Sequence, residues 1–577
     1  MKSMGQQRAH LLRTSTQLGL WLACMTSAGA LAPAALAQTE SPSQTRPGVT
    51  AAEPSRDAIF VFPANPGQSA PAGAESVRFT LNELIVEGAF EDVSAAGAPR
   101  GETNVAEVYA YAARLQQAYL DAGYPLARVI VPAQELDQAG SVRIQVIDGF
   151  IQSLDLDGVP ELARRRVAQV LTPLVGKRRP TSAELERRLL LAGDTAGLAL
   201  RSTLTAGSEL GGAALVLHGD HDPIAGVLAA DNRVSAPYGG FQIAASVALN
   251  SPWGGGEQIL LTMAGFPDEH FFVDEDARRR YFALGYTTPI GADGAALNAA
   301  YDYSSTRPGG NVKALRLESE YQRFGVGFSY PLVRTRETNL FASANFDLVR
   351  ETQDTAITGT PVPLSEDRLS VLRLGLDASS RVGQGFGSLS VELSQGLDVL
   401  NARSADDATP LKPLSRQGAD AEFTSVEIEG GLNAPVASNV SFYAGASGQY
   451  AFNEALLRSE QFSPIGPNGI SGPPPSAMVG DRGWAARVEM RFPERSDHFF
   501  ATPYLFGAAA ETYFERPTAL ERSRTEAQAF GAGVRLQSAP DAHGRSAFAF
   551  GIELSTLNSN DASFSDGWAS INLAVRF

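Results

Sequence analysis

Cysteine is almost absent from this chain: 577 residues carry one, Cys24. A single thiol builds no disulfide framework, so any extracytoplasmic fold here rests on packing and hydrogen bonding alone. Histidine is nearly as scarce, with six in the chain. One pair, His218 and His221, is spaced as metal ligands on a helix would be. It stands at the end of a strand-like segment with no further ligand cluster, and reads as a solvated junction. Positive charge is in deficit, 47 Lys and Arg against 63 Asp and Glu, for a net charge of −16. That balance excludes a general nucleic-acid binder, which needs cations to displace phosphate counterions. No glycine-rich loop ends in Lys-Ser or Lys-Thr, so no nucleotide signature is present, and no cofactor is implied. Beyond the first forty residues no apolar run reaches the length of a membrane-spanning helix.

What is present begins with Lys2, Arg8 and Arg13, followed by "LGLWLACMTSAGALAPAALA" and an Ala35-Leu36-Ala37 sequence before Gln38. This is the layout of a secretory signal with an A-x-A cleavage site over residues 1–37. Ser, Thr and Pro interrupt the run, which argues against a membrane anchor. The short apolar stretch before Cys24 argues against lipid attachment. Cleavage after Ala37 leaves a cysteine-free chain with a net charge of −19. Residues 38–76 are rich in Pro, Ala, Ser and Gly and read as a linker. One apolar island within it, "AIFVF", is suited either to docking as a strand or to plugging something.

From Val77 the periodicity changes. "FTLNELIVEGAF" reads as a strand and "NVAEVYAYAARLQQAYLDAG" as a helix capped by Asn104, with Glu107 completing a capping box. Val105, Val108, Ala112, Leu115 and Tyr119 share its apolar face, and Gly123 ends it. "LARVIVPAQ" and "SVRIQVIDGF" follow as strands. A second unit repeats the plan. "IQSLDLDGV" is a strand, a helix follows Pro160, another helix opens on a Thr181/Glu184 capping box, and "LALRSTLTAG" and "AALVLHGD" are strands. The chain thus carries two tandem α+β modules, at 77–149 and 150–220.

After Asp220 the helical period disappears. "VSFYAGASGQY" places Val440, Phe442, Ala444, Ala446 and Tyr450 on one face, with Ser441, Tyr443, Ser447 and Gln449 on the other. "NLFASANFDL" separates Leu340, Ala342, Ala344, Phe346 and Leu348 from Asn345 and Asp347. Alternation of this kind suits a transmembrane β-barrel, with lipid-facing and lumen-facing residues in turn; soluble sandwiches and solenoids alternate too. Two features favour the barrel. The chain ends "GWASINLAVRF", with Ile571, Leu573, Val575 and terminal Phe577 on one face, and that ending resembles the C-terminal signal of outer-membrane barrels. Residues 221–577 also accommodate about 16 strands at roughly 22 residues per strand and turn.

One segment fits no periodic pattern: "GPNGISGPPPSAMVGDRGW", Gly466 to Trp484. Together with "VIDGFI" (Val146 to Ile151), "AADNRVSAPYGG" (Ala229 to Gly240), "GDRGW" (Gly480 to Trp484) and "GAGVRL" (Gly531 to Leu536), it resembles the two-partner secretion transporters. These are POTRA-bearing outer-membrane barrels that include haemolysin-activation and filamentous-haemagglutinin secretion proteins. The resemblance covers the chain from about Val77 to its end. It implies two periplasmic POTRA domains and a barrel in the outer membrane of a Gram-negative bacterium. It also implies export, without enzymatic activity, of a large haemolysin- or adhesin-like client. Barrel assembly machinery, periplasmic chaperones and outer-membrane lipid are the further partners it implies. Other functions that suit a barrel behind two modules are assembly of membrane proteins and passive diffusion.

In that family the sixth extracellular loop folds into the lumen, and an Arg at its Val-Arg-Gly-aromatic tip meets an acidic residue on the wall. Residues 462–483 correspond to this loop. Glycines suit its tight turns, and prolines lower the freedom lost on docking. The tip here reads Ile470, Ser471, Gly472, Pro473, without the Arg, and the Asp-x-Gly positions that the resemblance implies on "PYLFGAAAE" correspond to Ala508 and Ala510. Packing and backbone hydrogen bonds are therefore expected to hold the loop. Asp481 and Arg482 are candidates for replacement polar contacts. Ser471 lacks the G-x-S-x-G spacing of a nucleophile elbow.

Overall fold

The computed structural model describes residues 42–45, 59–61, 68–135, 140–267, 274, 276–357, 359–519, 521–539 and 547–577. The signal segment lies outside the described residues. Among them no helix is long and apolar enough to cross a membrane.

The linker's apolar island forms a short strand, β1 (Ile59–Val61). The first module then contains β2 (Arg78–Leu81), β3 (Glu83–Glu87), β4 (Gly101–Asn104), α1 (Val105–Asp121), β5 (Arg128–Ile130) and β6 (Ser141–Ile147). The stretch expected as one strand from Phe79 to Phe90 is two. β2 pairs with β4, while β3 joins a three-stranded sheet in the order β3-β6-β5. The break falls where the N–H groups of Asn82 and Glu83 both donate to the Gly140 carbonyl, which turns the chain out of one ladder and into the other. The Asn104 side chain accepts from the Glu107 N–H as expected, and the Glu107 carboxylate accepts from Thr103 Oγ1 at 2.6 Å. Val108, Ala112, Leu115 and Tyr119 of α1 pack on Val142, Ile144 and Val146 of β6.

The second module contains β7 (Phe150–Gly158), α2 (Glu161–Leu171), α3 (Ser182–Gly193), β8 (Leu198–Ala206) and β9 (Gly212–His221). Its sheet runs β1-β8-β9-β7, so the linker strand forms its edge. The Thr181/Glu184 capping box is present with both bonds. The Lys177 ammonium bonded to Glu184 holds that carboxyl below the usual range. Val167, Val170 and Leu171 of α2 and Leu185 and Leu189 of α3 pack on Leu200, Leu215 and Leu217 of the sheet.

The remainder closes as an antiparallel barrel of 16 strands. The first barrel strand, Ile224–Asp231, pairs with the last, Gly567–Arg576. Phe577 extends this seam: its N–H and carbonyl exchange bonds with Gly226. A Cβ on Gly226 would lie 2.3 Å from the Phe577 ring, so a larger residue there would displace the exposed terminal aromatic. Ile571, Leu573, Val575 and Phe577 are all exposed on the outer surface, as are Leu372, Leu374 and Leu376 of the eighth strand (Val362–Val382). Buried polar side chains such as Asp347 and Arg487 occupy the opposite, inner face.

Arginines of the second module pin it to the short turns at one end of the barrel. Arg165 of α2 donates to the carbonyls of Trp253 (2.9 Å) and Gly254 (3.2 Å). Arg187 and Arg188 of α3 donate to Pro331 and Ala292 carbonyls, each at 2.8 Å. In return, Arg334 of the sixth strand (Leu317–Arg334) reaches Asp194 at 2.7 Å.

Candidate functional site

The opposite half of the lumen, away from the modules, is filled. Leu414, Ala419 and Phe423 from one loop, and Leu456 and Leu457 from another, pack on Val349, Leu369 and Val371 of the wall. The linker contributes as well: Pro42–Thr45 lies against the fifth (Ala295–Thr306) and sixth strands and against segments Arg458–Glu460 and Pro475–Ala477. Ser43 Oγ donates to Glu351.

Residues 451–481 connect the eleventh strand (Val440–Tyr450) to the twelfth (Arg482–Arg491) and form an infolded loop. Ile470 is 1% exposed. It rests on Ala508, Ala510, Ala527 and Ala529 of the thirteenth (Phe499–Tyr513) and fourteenth (Arg524–Ser538) strands. Alanine at these wall positions opens a groove wide enough for the loop. Burying an isoleucine side chain contributes about 1.5–3 kcal/mol. Gly472 has φ +118° and passes so close to Trp568 that a Cβ would lie 2.5 Å from it.

Packing is not the whole of the anchorage, and here the expectation of packing plus backbone bonds is incomplete. Ser471 Oγ donates to Glu553 and accepts from Arg487 at 2.8 Å. Arg487 also bonds Glu553 at 2.5 Å and Glu489 at 2.7 Å, and lies 3.7 Å over the Phe506 ring. Glu489 further accepts from Arg491 at 2.7 Å and from both Arg535 terminal nitrogens at 2.8 Å. Tyr504 completes the set with a 2.7 Å bond to Glu553. The Arg487 guanidinium sits on the wall, three strands from the Glu553 carboxylate, and the loop supplies a small hydroxyl between them. Relative to the Arg-on-loop arrangement, the charge has moved from loop to barrel.

Asp481 and Arg482 lie elsewhere, at the loop's return to the wall. Asp481 is fully buried and accepts from Arg416 at 2.5 and 2.7 Å and from the N–H groups of Leu456 and Glu515. Arg482 opens the twelfth strand and reaches Glu515 at 3.0 Å. A third contact holds the loop's other flank. Asn468 accepts from Tyr443 and donates to Glu429 at 2.7 Å.

Beneath Asn468, on the side of the modules, a cavity of about 400 Å³ is lined by Arg334, Asn339, Asp377, Ser388, Ser390 and Glu429. These come from the sixth to tenth strands, and Phe341, Ala378 and Leu389 complete the lining.

The family profile described as "Haemolysin secretion/activation protein ShlB/FhaC/HecB" matches residues 211–510, more than half of the chain. The chain belongs to this family. A ShlB-type POTRA domain profile matches residues 76–149. Heme/hemopexin transporter protein HuxB of Haemophilus influenzae is 22% identical over 453 residues, 76% of each chain. Outer membrane transporter CdiB of Dickeya dadantii is 21% identical, covering 65% of this chain and 64% of that one. Hemolysin transporter protein HpmB of Proteus mirabilis is 22% identical over 67% of each. The fold is also that of CdiB from Escherichia coli, with a TM-score of 0.68 at 18% identity over 89% of this chain and 93% of the other. CdiB from Acinetobacter baumannii has a TM-score of 0.59 at 12% identity, covering 99% and 98%. This ShlB-type protein is a two-partner secretion transporter of the outer membrane, with its POTRA domains in the periplasm. The pinned end of the barrel is therefore periplasmic, and the cavity below Asn468 lies toward that end.

Of the residues singled out in sequence, Ile470, Ser471 and Gly472 meet at the loop tip, Asp481 and Arg482 at its base, and Ile571 to Phe577 on the lipid face. Sequence reading missed Arg487, Glu489, Arg535, Glu553 and Arg416. A weak signal existed in "ARVEMRF", where Arg487, Glu489 and Arg491 alternate with Val488 and Met490, too many charges for one lumen face unless they pair.

Proposed function

We propose that this protein captures an unfolded, haemolysin- or adhesin-like exoprotein in the periplasm and conducts it through the barrel to the cell surface. Capture is by β-augmentation, in which an extended client segment adds to a POTRA sheet edge. Main-chain bonds supply most of the affinity, so a moving chain is tolerated. The observation that carries this reading is the cavity beside the infolded loop, at the end of the barrel where Arg334 meets Asp194 of the second module. Its lining is mixed: Asn339, Asp377, Ser388, Ser390 and Glu429 offer a passing backbone exchangeable hydrogen bonds, beside apolar Phe341, Ala378 and Leu389. Folding of the client outside supplies direction without a nucleotide. Periplasmic chaperones keep the client extended, and the barrel assembly machinery inserts the transporter.

The test is secretion of a long, repetitive exported protein encoded beside this gene, in cells with and without it. Periplasmic retention of that protein only in the deletion strain is the expected result. Normal secretion combined with depletion of other outer-membrane barrels would overturn the reading in favour of membrane-protein assembly.

A further inference from the structure

The chain is acidic as a whole, but one part of it is not. Residues 161–194, which hold α2 and α3, carry eight Lys and Arg against four Asp and Glu. This is the part of the second module that meets the barrel. α2 lies against the first two periplasmic turns, residues 251–257 and 291–294, and α3 against the second of them and against Pro331. Two guanidinium groups at this rim have carboxylate partners: Arg188 reaches Asp293 at 2.7 Å and Arg336 reaches Glu186 at 3.0 Å. Arg165, Arg166 and Arg187 donate instead to backbone carbonyls, and Arg166 also to Gln169. Among the described residues these three form no ion pair. Asp194, whose field reaches Arg166, is taken by Arg334. Glu257 lies near Arg165 across Gly255 and gives its Oε1 to the Trp253 N–H. Three cations against that one acid leave the rim positive.

Arg165 is exposed. It spends one N–H on the Gly254 carbonyl and one on the Trp253 carbonyl, and a guanidinium has five. An apolar lip stands beside it. Leu162, three residues before Arg165 on the same helical face, is exposed, and Trp253 is 63% exposed. The Trp253 ring meets Tyr286 edge-on, with centroids 6.3 Å apart. Tyr286 belongs to the fourth barrel strand (Arg279–Ile290) and shares a face with Leu284 and Ile290, both exposed. That face is the lipid-facing one. Trp253 therefore prolongs the lipid face down to the turn that Arg165 clasps, at the level where an indole suits the membrane–water boundary.

We propose that Arg165 and Trp253 form a binding site for an anionic phospholipid of the periplasmic leaflet. The phosphodiester accepts hydrogen bonds from the Arg165 N–H groups that the turn does not use, since the planar guanidinium matches phosphate oxygens. One acyl chain runs along Trp253 and Tyr286, and Arg166 and Arg187 add positive potential along the rim. Charge selects a negative headgroup over a zwitterionic one. Continuity with the lipid face selects a lipid over a free anion, which would gain nothing from the exposed indole.

The test uses the full-length mature protein in lipid nanodiscs. Trp253, Trp484 and Trp568 are its tryptophans once the signal is removed, so Trp484→Phe/Trp568→Phe leaves Trp253 as the single reporter. Two discs contain the same mixture of phosphatidylethanolamine and phosphatidylglycerol. Bromine is carried by the acyl chains of one lipid or of the other, at equal mole fraction. Brominated phosphatidylglycerol is expected to quench Trp253 at least about twofold more strongly than brominated phosphatidylethanolamine. Arg165→Gln should bring that ratio to one, and Arg165→Lys, which keeps the charge, should retain most of it. Equal quenching by the two lipids would overturn the site. So would a preference that survives Arg165→Gln, or one that Arg165→Lys loses as completely as Arg165→Gln, which would mark a structural role for the clasp on the turn. Inorganic phosphate, with ionic strength matched by chloride, should leave the ratio unchanged; collapse of the ratio would reassign the site to a free anion and overturn the lipid.

Discussion

The two walls of the lumen at the level of the loop tip are built on opposite plans. The wall of the twelfth to fifteenth strands carries Arg487, Glu489, Arg491, Tyr504, Arg535 and Glu553, joined to one another and to Ser471. The wall of the eighth to tenth strands carries Asp377, Ser388, Ser390 and Glu429 around open space. One wall is charged and closed because each charge has a partner within hydrogen-bond reach. The other is open where serines and Gly430 line it beside Asp377 and Glu429. The contrast teaches how one barrel anchors a plug-like loop without filling its own bore: large paired residues are confined to one arc of the circumference, and small hydroxyls and carboxylates take the other.

The sharpest way to break this asymmetry is at Glu489, which is 1% exposed. Glu489→Ala leaves the guanidinium groups of Arg487, Arg491 and Arg535 without their shared acceptor. Removing one partner from a buried ionic cluster costs about 3–5 kcal/mol. The expected outcome is a marked drop in the temperature at which the barrel loses its compact form on a semi-native gel, with the loop newly open to protease.

Ser471→Arg comes next. It restores the guanidinium expected of the family's loop but sets it against Arg487, 2.8 Å from the present hydroxyl. Like charges at this separation should cost about 1–3 kcal/mol. The double variant Ser471→Arg/Arg487→Ser should recover most of that loss in the same assay. Recovery would show that the anchor needs one cation facing Glu553 and is indifferent to which side provides it; failure to recover would mean the wall position is essential.

A smaller effect is expected at the loop's opposite flank. Tyr443→Phe removes the bond to Asn468 and should cost about 1 kcal/mol, read as a modest rise in protease sensitivity near residue 468. Smallest in stability is the open wall. Asp377→Asn keeps an acceptor for Ser390 and should change thermal stability by less than about 0.5 kcal/mol, while reducing the preference of the pore for cations in planar-bilayer reversal potentials. A large loss of stability there would show that the open wall is structural after all.

Much of this architecture was legible in the chain. The tandem modules followed from capping signals at Asn104 and Thr181 and from a helical face at Val108, Ala112, Leu115 and Tyr119, all local features. The barrel followed from alternation, and its closure from the face shared by Ile571, Leu573, Val575 and Phe577. The infolded loop was visible in its glycines and prolines. Its anchor was not. Pairing Arg487 with Glu553 requires the register of four strands and the depth of the loop between them, and neither leaves a trace in local spacing. Ala508 and Ala510 read as the loss of an acidic partner, whereas in three dimensions they form the groove that seats Ile470. The split of β2 from β3 was missed for a related reason: the carbonyl that turns the chain at Asn82 belongs to Gly140, 58 residues away.

The parallel pairing of β1 with β8 has a directional meaning. β8 begins at Leu198, which pairs with His221 beside the start of the barrel, and ends at Ala206 near the junction of the two modules. The linker strand therefore lies with Ile59 on the barrel side and Val61 toward the first module, so the sheet edge it occupies is read with one chain polarity.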